Sequence, residues 1–300
     1  MAWIGKFLFG WTRRVEENTE VLLDEPWRNV AWNNSTRARL KQSLLDYKPP
    51  IDSVPQARIL LVGAVGAGKS SFFNSINSAI RGNITSQAVA GEKVTTRTIE
   101  YRAYQVKANR VGQPLSFLLC DTMGLEASES GGVNIKDIDH ILKGCIPNKH
   151  RFNPVSPLET CHCQECDSSA LKDRIHCVVY VIDSSKFAVM PPETKKKLHE
   201  IQEKLESYDV TLVVLLTKVD KTCPILEKDL KKVYRSCYIK ELIDRASECL
   251  GIPVTNILPV KNYSNELELN ECCDILLLTA MQKMLHFADN HFDNFVKGTE

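Results

Sequence analysis

Apolar positions change their period from one part of the chain to the next. Between Arg58 and Val62 an apolar run of strand length leads into a glycine-rich stretch. Phe72, Phe73, Ile76, Ala79 and Ile80 then recur at helical spacing until Gly82-Asn83 stops them. Strand, loop and amphipathic helix follow from that pattern. Continuous apolar runs return at 115–120, 177–182, 210–216 and 254–258, as in parallel strands covered on both faces. Residues 98–106 differ, because Ile99, Tyr101 and Ala103 alternate and predict a half-buried, antiparallel edge strand. Helices are predicted at 35–47, 135–142, 226–250 and 267–287, with Phe292 and Phe295 extending the last. Pro191-Pro192-Glu193 opens another, carrying Leu198, Ile201 and Leu205 on one face. Alternating strands and helices predict an α/β fold: a mostly parallel central sheet with helices on both faces and a ligand at the carboxyl ends of the strands.

Three segments flank or interrupt this plan. Residues 1–50 read as an N-terminal aromatic and helical extension carrying Trp3, Trp11, Trp27 and Trp32, which Pro49, Pro50 and Pro55 lead into the first strand. Its aromatics are expected to strap onto the core, the alternative being a membrane-surface or partner-binding arm. The main domain is placed at 51–290 with a long insert at about 125–174, and 291–300 forms a tail. The insert holds Cys161-His162-Cys163-Gln164-Glu165-Cys166, which we read as reduced surface cysteines. Zinc is the alternative, but a second paired half is missing.

Composition narrows the setting. The chain is 43% hydrophobic and 25% charged with a net charge of +1, which offers no concentrated basic face for nucleic acid. Eleven cysteines without a regular framework fit a reducing, cytoplasmic location. No apolar run is long enough for a transmembrane segment, and the first residues lack a signal-peptide cleavage site and a myristoylation glycine.

The chemistry concentrates at strand ends. Gly63-x-x-Gly66-Ala67-Gly68-Lys69-Ser70-Ser71 has the spacing of a phosphate-binding loop rather than a chance glycine turn. Its glycines let backbone N–H groups face an anion, Lys69 is expected to reach the β- and γ-phosphates, and Ser70 to coordinate Mg²⁺. The polar loop 83–96 ends in Val94-Thr95-Thr96-Arg97. Thr96, with Thr95 as second choice, is expected to complete the Mg²⁺ shell and to act with Lys69 in any catalysis, unless it is merely a threonine at a strand entrance. Asp121 ends a buried strand and would hold the metal with Ser70 and Thr96, while Gly124 would offer its N–H to the γ-phosphate. Thr217-Lys218-Val219-Asp220 places a carboxylate where it would accept from guanine N1 and N2, with the Lys218 stem over the base. The loop containing Lys261 and Asn262 is in order to meet guanine O6 through its backbone.

Taken in order, these motifs resemble the signature set of the Ras-like P-loop GTPases. The wording of 57–81, of Val94-Thr95-Thr96-Arg97-Thr98 and of 275–288 is similar to the vertebrate interferon-induced protein 44 and 44-like family, from about Trp27 almost to the C-terminus. That resemblance implies a cytoplasmic, interferon-inducible GTP/GDP-binding protein with an antiviral role. Two departures qualify it. Some members carry an N-terminal TLDc domain, for which this chain has no room. Many GTPases have asparagine where Thr217 stands, so an amide tying the base loop to the phosphate loop is expected to be lost, weakening affinity. Ras-like enzymes also place a glutamine at the position of Leu125, here followed by Glu126. Hydrolysis is therefore expected to be slow or to need a group from a partner subunit or another loop; Arg81 and Arg97 are candidate donors, although surface solvation is their ordinary role. The leading expectation is a GTP-dependent switch or slow GTPase whose loops engage an effector protein or a second copy. A nucleotide-stabilised scaffold without hydrolysis is the alternative. An ATP-dependent kinase is a third reading, against which Thr217–Asp220 argues.

Overall fold

A computed structural model describes residues 21–88, 100–108, 112–122, 124, 134–153 and 170–297. Six strands form one sheet: β1 (Ala57–Val62), β2 (Arg102–Lys107), β3 (Pro114–Asp121), β4 (Cys177–Asp183), β5 (Thr211–Thr217) and β6 (Ile257–Pro259), in the order β2-β3-β1-β4-β5-β6. All neighbours are parallel except β2, which runs antiparallel to β3 at the edge. Every residue of β4 is buried, as its unbroken apolar run requires of a strand covered on both faces.

Two groups of helices provide that cover. The long α8 (Glu271–Lys297) packs against β1, β4 and β5 beside α1 (Asn34–Asp46) and α2 (Lys69–Arg81). In the second group α4 (Pro192–Ser207) packs against β5, with α3 (Ile135–Leu142) and α7 (Cys237–Leu250) as neighbours. Short α5 (Val219–Thr222) and α6 (Pro224–Lys228) follow β5. Leu40 and Leu44 of α1 belong to the same apolar core as the sheet, so this helix is built into the domain rather than laid on it. Asn33 caps α1 by accepting from the Thr36 N–H at 2.8 Å.

Several boundaries depart from the apolar pattern, each for a local reason. Of the strand expected over 98–106, residues 98 and 99 lie outside the described residues; β2 begins at Arg102, because the Tyr101 backbone pairs instead with His150 and Lys149. The stretch expected as one helix over 226–250 is three pieces: α6, a 3₁₀ turn at Leu230–Tyr234, and α7. The Asp229 carboxylate accepts from Lys231 N–H and the Ser236 hydroxyl from Ile239 N–H, so each polar side chain caps a fresh start. The strand expected from 254 begins at Ile257, since Val254–Asn256 coils into a 3₁₀ turn after Pro253. The last helix starts at Glu271, with Leu267 94% exposed outside it, because Asn270 accepts from Cys272 and Cys273 N–H at 3.0 Å. It runs on to Lys297 and buries Phe292 completely.

The strap is seen for two of its tryptophans. The Trp27 and Trp32 rings lie 5.1 and 6.1 Å from the Tyr234 ring, centroid to centroid. Between them Arg28 donates to the Ile257 carbonyl at 2.9 Å and the Val254 carbonyl at 2.5 Å, covering the β6 edge. Trp3, Trp11 and Cys161–Cys166 lie outside the described residues. Among the described residues no helix is long and apolar enough to cross a membrane, and no cluster of three or more metal-ligating side chains occurs.

Candidate functional site

The loop from Gly63 to Gly68 joins β1 to α2 at the carboxyl end of the sheet's central strand. Two of its glycines are obligatory. Gly63 has φ +148°, and a Cβ there would meet the Val181 carbonyl oxygen at 2.2 Å. Gly68 has φ +104°, and a Cβ would stand 2.9 Å from Asn262 Nδ2. With Gly68 as its N-cap, α2 begins without a side-chain cap, leaving the first-turn N–H groups to another acceptor.

Lys69 curls back over this loop, donating to the Gly63 carbonyl at 2.9 Å and the Ala64 carbonyl at 3.2 Å. Burial pushes the pKa of its ammonium down, while the charge on Asp121 works against that. Ser70 Oγ donates to Asp121 Oδ2 at 2.5 Å. Asp121 is wholly buried, and burial pushes its carboxyl pKa up against the opposing effects of Lys69 and Ser70. Its other oxygen, Oδ1, is buried without a protein partner among the described residues. An orphaned carboxylate oxygen beside a hydroxyl is a donor set suited to a hard cation such as Mg²⁺, with phosphate and water oxygens completing the shell. Gly124 closes on the same loop: a Cβ there would lie 2.5 Å from Val65 Cγ2.

The side expected to meet the base is built from β4, β5 and β6. Registers Asp183↔Thr217 and Leu216↔Pro259 bring their ends together. Thr217 Oγ1 donates to the Ala67 carbonyl at 2.6 Å. Lys218 takes φ +58° and its Nζ lies 2.8 Å from Asp183 Oδ2. Burial would raise the Asp183 pKa, but Lys218 and Ser185 outweigh it and leave it lowered. Asp220 is largely buried, which raises its pKa, while Lys261 opposes the shift from 4.0 Å. Lys261 is held more closely by Glu266, at 3.0 Å.

Asn262 Nδ2 donates to the Gly68 carbonyl at 3.1 Å. The amide tie expected to be missing at Thr217 is thus made from the β6 loop, and Thr217 adds a hydroxyl bond of its own. Motif spacing missed this role of Asn262, and also the Asp183 partner of Lys218; a polar side chain ending β4 and another just beyond β6 were the available signals. Arg81 is not brought to the site. It ends α2 twelve residues beyond Lys69, roughly 18 Å along the helix axis. Ser71 follows the loop within α2, whereas Thr95, Thr96, Arg97, Leu125 and Glu126 lie outside the described residues.

A family model described as 50S ribosome-binding GTPase matches residues 58–218, which is more than half of the chain. The chain belongs to this GTPase family. Guanine-nucleotide binding comes with that membership, and the matched span runs from β1 to Lys218. The chain is also similar to interferon-induced proteins. It is 42% identical over 258 residues to interferon-induced protein 44-like of Homo sapiens, covering 86% of this chain and 57% of that protein. To interferon-induced protein 44 of Homo sapiens it is 38% identical, covering 91% and 61%, and to that of Mus musculus 37%, covering 92% and 64%. The GTPase therefore spans about three fifths of the length of these relatives. Among solved structures, Toc33 from Arabidopsis thaliana in complex with GDP and Mg²⁺ is similar at a TM-score of 0.46 and 14% identity, over 85% of this chain and 90% of that one.

Proposed function

We propose that this GTPase binds GTP and GDP with Mg²⁺ and works as a nucleotide-dependent switch or slow GTPase. One observation carries the reading: Asp121 keeps a buried, unpartnered oxygen beside Ser70, at the mouth of a glycine loop whose first-turn N–H groups lack a side-chain cap. In this reading the loop from Gly63 to Ser71 holds the phosphates, Ser70 and Asp121 hold Mg²⁺ together with Thr96, and Gly124 meets the γ-phosphate. Mg²⁺ would neutralise charge on the bridging phosphate oxygens. Thr217 and Lys218 shape the base pocket, and Asp220 selects guanine. The names of the relatives support a role in the interferon response. In this reading the role is cytoplasmic and antiviral and is exerted through an effector protein or a nucleotide-dependent homodimer.

Calorimetry on the purified chain with Mg²⁺ tests the core of this reading, with uptake of GTP and GDP and none of ATP expected. Absence of uptake of both guanine nucleotides ends it. Phosphate release measured over a protein concentration series then separates the two modes. Slow release that rises per molecule with concentration marks a switch that hydrolyses across a dimer, as expected where Leu125 stands in place of a glutamine, while no release at any concentration marks a scaffold.

A further inference from the structure

A phosphate-binding loop turns its N–H groups inward only if the carbonyls it turns outward find other donors. Two carbonyls in this loop, those of Ala67 and Gly68, immediately precede Lys69. Each takes a side chain from the base-reading side of the sheet: the Thr217 hydroxyl on Ala67 and the Asn262 amide on Gly68. Asn262 is fixed for this task. Turning its amide over would set two acceptors, Oδ1 and the Gly68 carbonyl oxygen, against each other. The Gly68 bond is the one side-chain hydrogen bond of Asn262 among the described residues, and Oδ1 is buried without a partner. Its backbone position is fixed as well, because the next residue, Tyr263, donates its N–H to Ser75 Oγ in α2 at 2.9 Å. The loop after β6 is therefore bolted to both the phosphate loop and the helix that leaves it.

Resting on the nucleotide-binding reading above, we infer that Asn262 is a positioning residue for the phosphate loop, supplying from the β6 loop the amide that many GTPases carry at the position of Thr217. The Thr217 hydroxyl serves Ala67 instead, so the two residues divide one task. Both flank the same glycine: a Cβ on Gly68 would lie 2.9 Å from Asn262 Nδ2 and 3.5 Å from Thr217 Oγ1. An asparagine at 217 is placed to take over the Gly68 carbonyl.

The test is a double-variant cycle read by nucleotide affinity. Asn262→Ala leaves the Gly68 carbonyl with the Phe72 N–H alone and is expected to weaken GTP and GDP alike by about tenfold, with the preference over ATP unchanged. Thr217→Asn in the same chain is expected to restore affinity to within about threefold of the unaltered protein, a rescue that a general loss of packing would not give. Affinity unchanged by Asn262→Ala, or a loss that Thr217→Asn fails to recover in a chain of normal melting temperature, overturns the inference. If Asn262→Ala itself melts early, Asn262→Ser replaces it in the cycle with the same expectations. Failure of the unaltered chain to bind GTP or GDP instead refutes the nucleotide reading, so the two failures are told apart.

Discussion

Asp220 shows how much a single position decides. A carboxylate accepts from two guanine donors at once, whereas a side-chain amide can offer only one acceptor and presents a donor beside it. Xanthine carries an oxygen where guanine has its 2-amino group. Asp220→Asn is therefore expected to lose GTP affinity by about 10² or more and to bind xanthosine triphosphate in preference. Competition between the two nucleotides on one sample measures this, and unchanged GTP binding would show that Asp220 does not read the base. The place of Asp220 just past β5 was legible because its tetrad follows an apolar run that can only be a buried strand; that it reads the base belongs to the proposal. Asn262 was not legible, since an asparagine past a three-residue strand has no periodic frame to point it anywhere; only the folded chain sets its amide against Gly68.

Among elements, legibility followed the length of the apolar pattern. β4, α3 and α4 formed where their apolar positions placed them, whereas the start of β6 depended on a 3₁₀ turn after Pro253 and the region around α6 and α7 on short polar caps, neither of which periodicity registers. β6 also shows how an edge strand is managed. Its exposed side would present the Ile257 carbonyl to another chain, but the Arg28 guanidinium bonds it, together with the Val254 carbonyl of the preceding 3₁₀ turn, while resting 4.6 Å from the centre of the Trp27 ring. Arg28→Ala removes both bonds and the ring contact together. A loss of about 2–3 kcal/mol is expected, seen as a lower urea midpoint at unchanged slope. A midpoint within error of the unaltered chain would mean that the strap contributes nothing to holding this edge.

At the scale of the molecule, the two ends of the sheet carry different chemistry. The carboxyl ends gather the phosphate loop, Asp121 and the base loops; the other end gathers imidazoles. His176, just before β4, accepts the Arg58 N–H on Nδ1 at 2.9 Å and lies 2.8 Å from the Leu171 carbonyl through Nε2, a pairing that suits the neutral ring alone. Burial lowers its pKa from 6.5 to about 3. His291, whose ring centre is 5.9 Å away, is lowered too, chiefly by burial. A histidine depressed in the fold binds its proton more readily in the unfolded chain. Its contribution to stability is therefore complete above pH 6.5 and is lost as the pH falls towards 3. His176→Asn is expected to make that acid limb shallower by about 1.4 kcal/mol per pH unit, measured by urea unfolding at several pH values between 7.5 and 4.5. Equal slopes in the two proteins would show that His176 does not titrate on unfolding.

Lys261 sits between two acids, close to Glu266 and farther from Asp220. In the proposed reading, an incoming base would enter a seat whose negative wall is already balanced, with Asp220 exchanging one partner for another. Glu266 keeps the displaced ammonium moored at the rim, so the vacant and filled seats differ in who faces Asp220 and hardly at all in total charge. Loading of the base should for that reason be nearly indifferent to ionic strength, leaving salt sensitivity to the phosphate end alone.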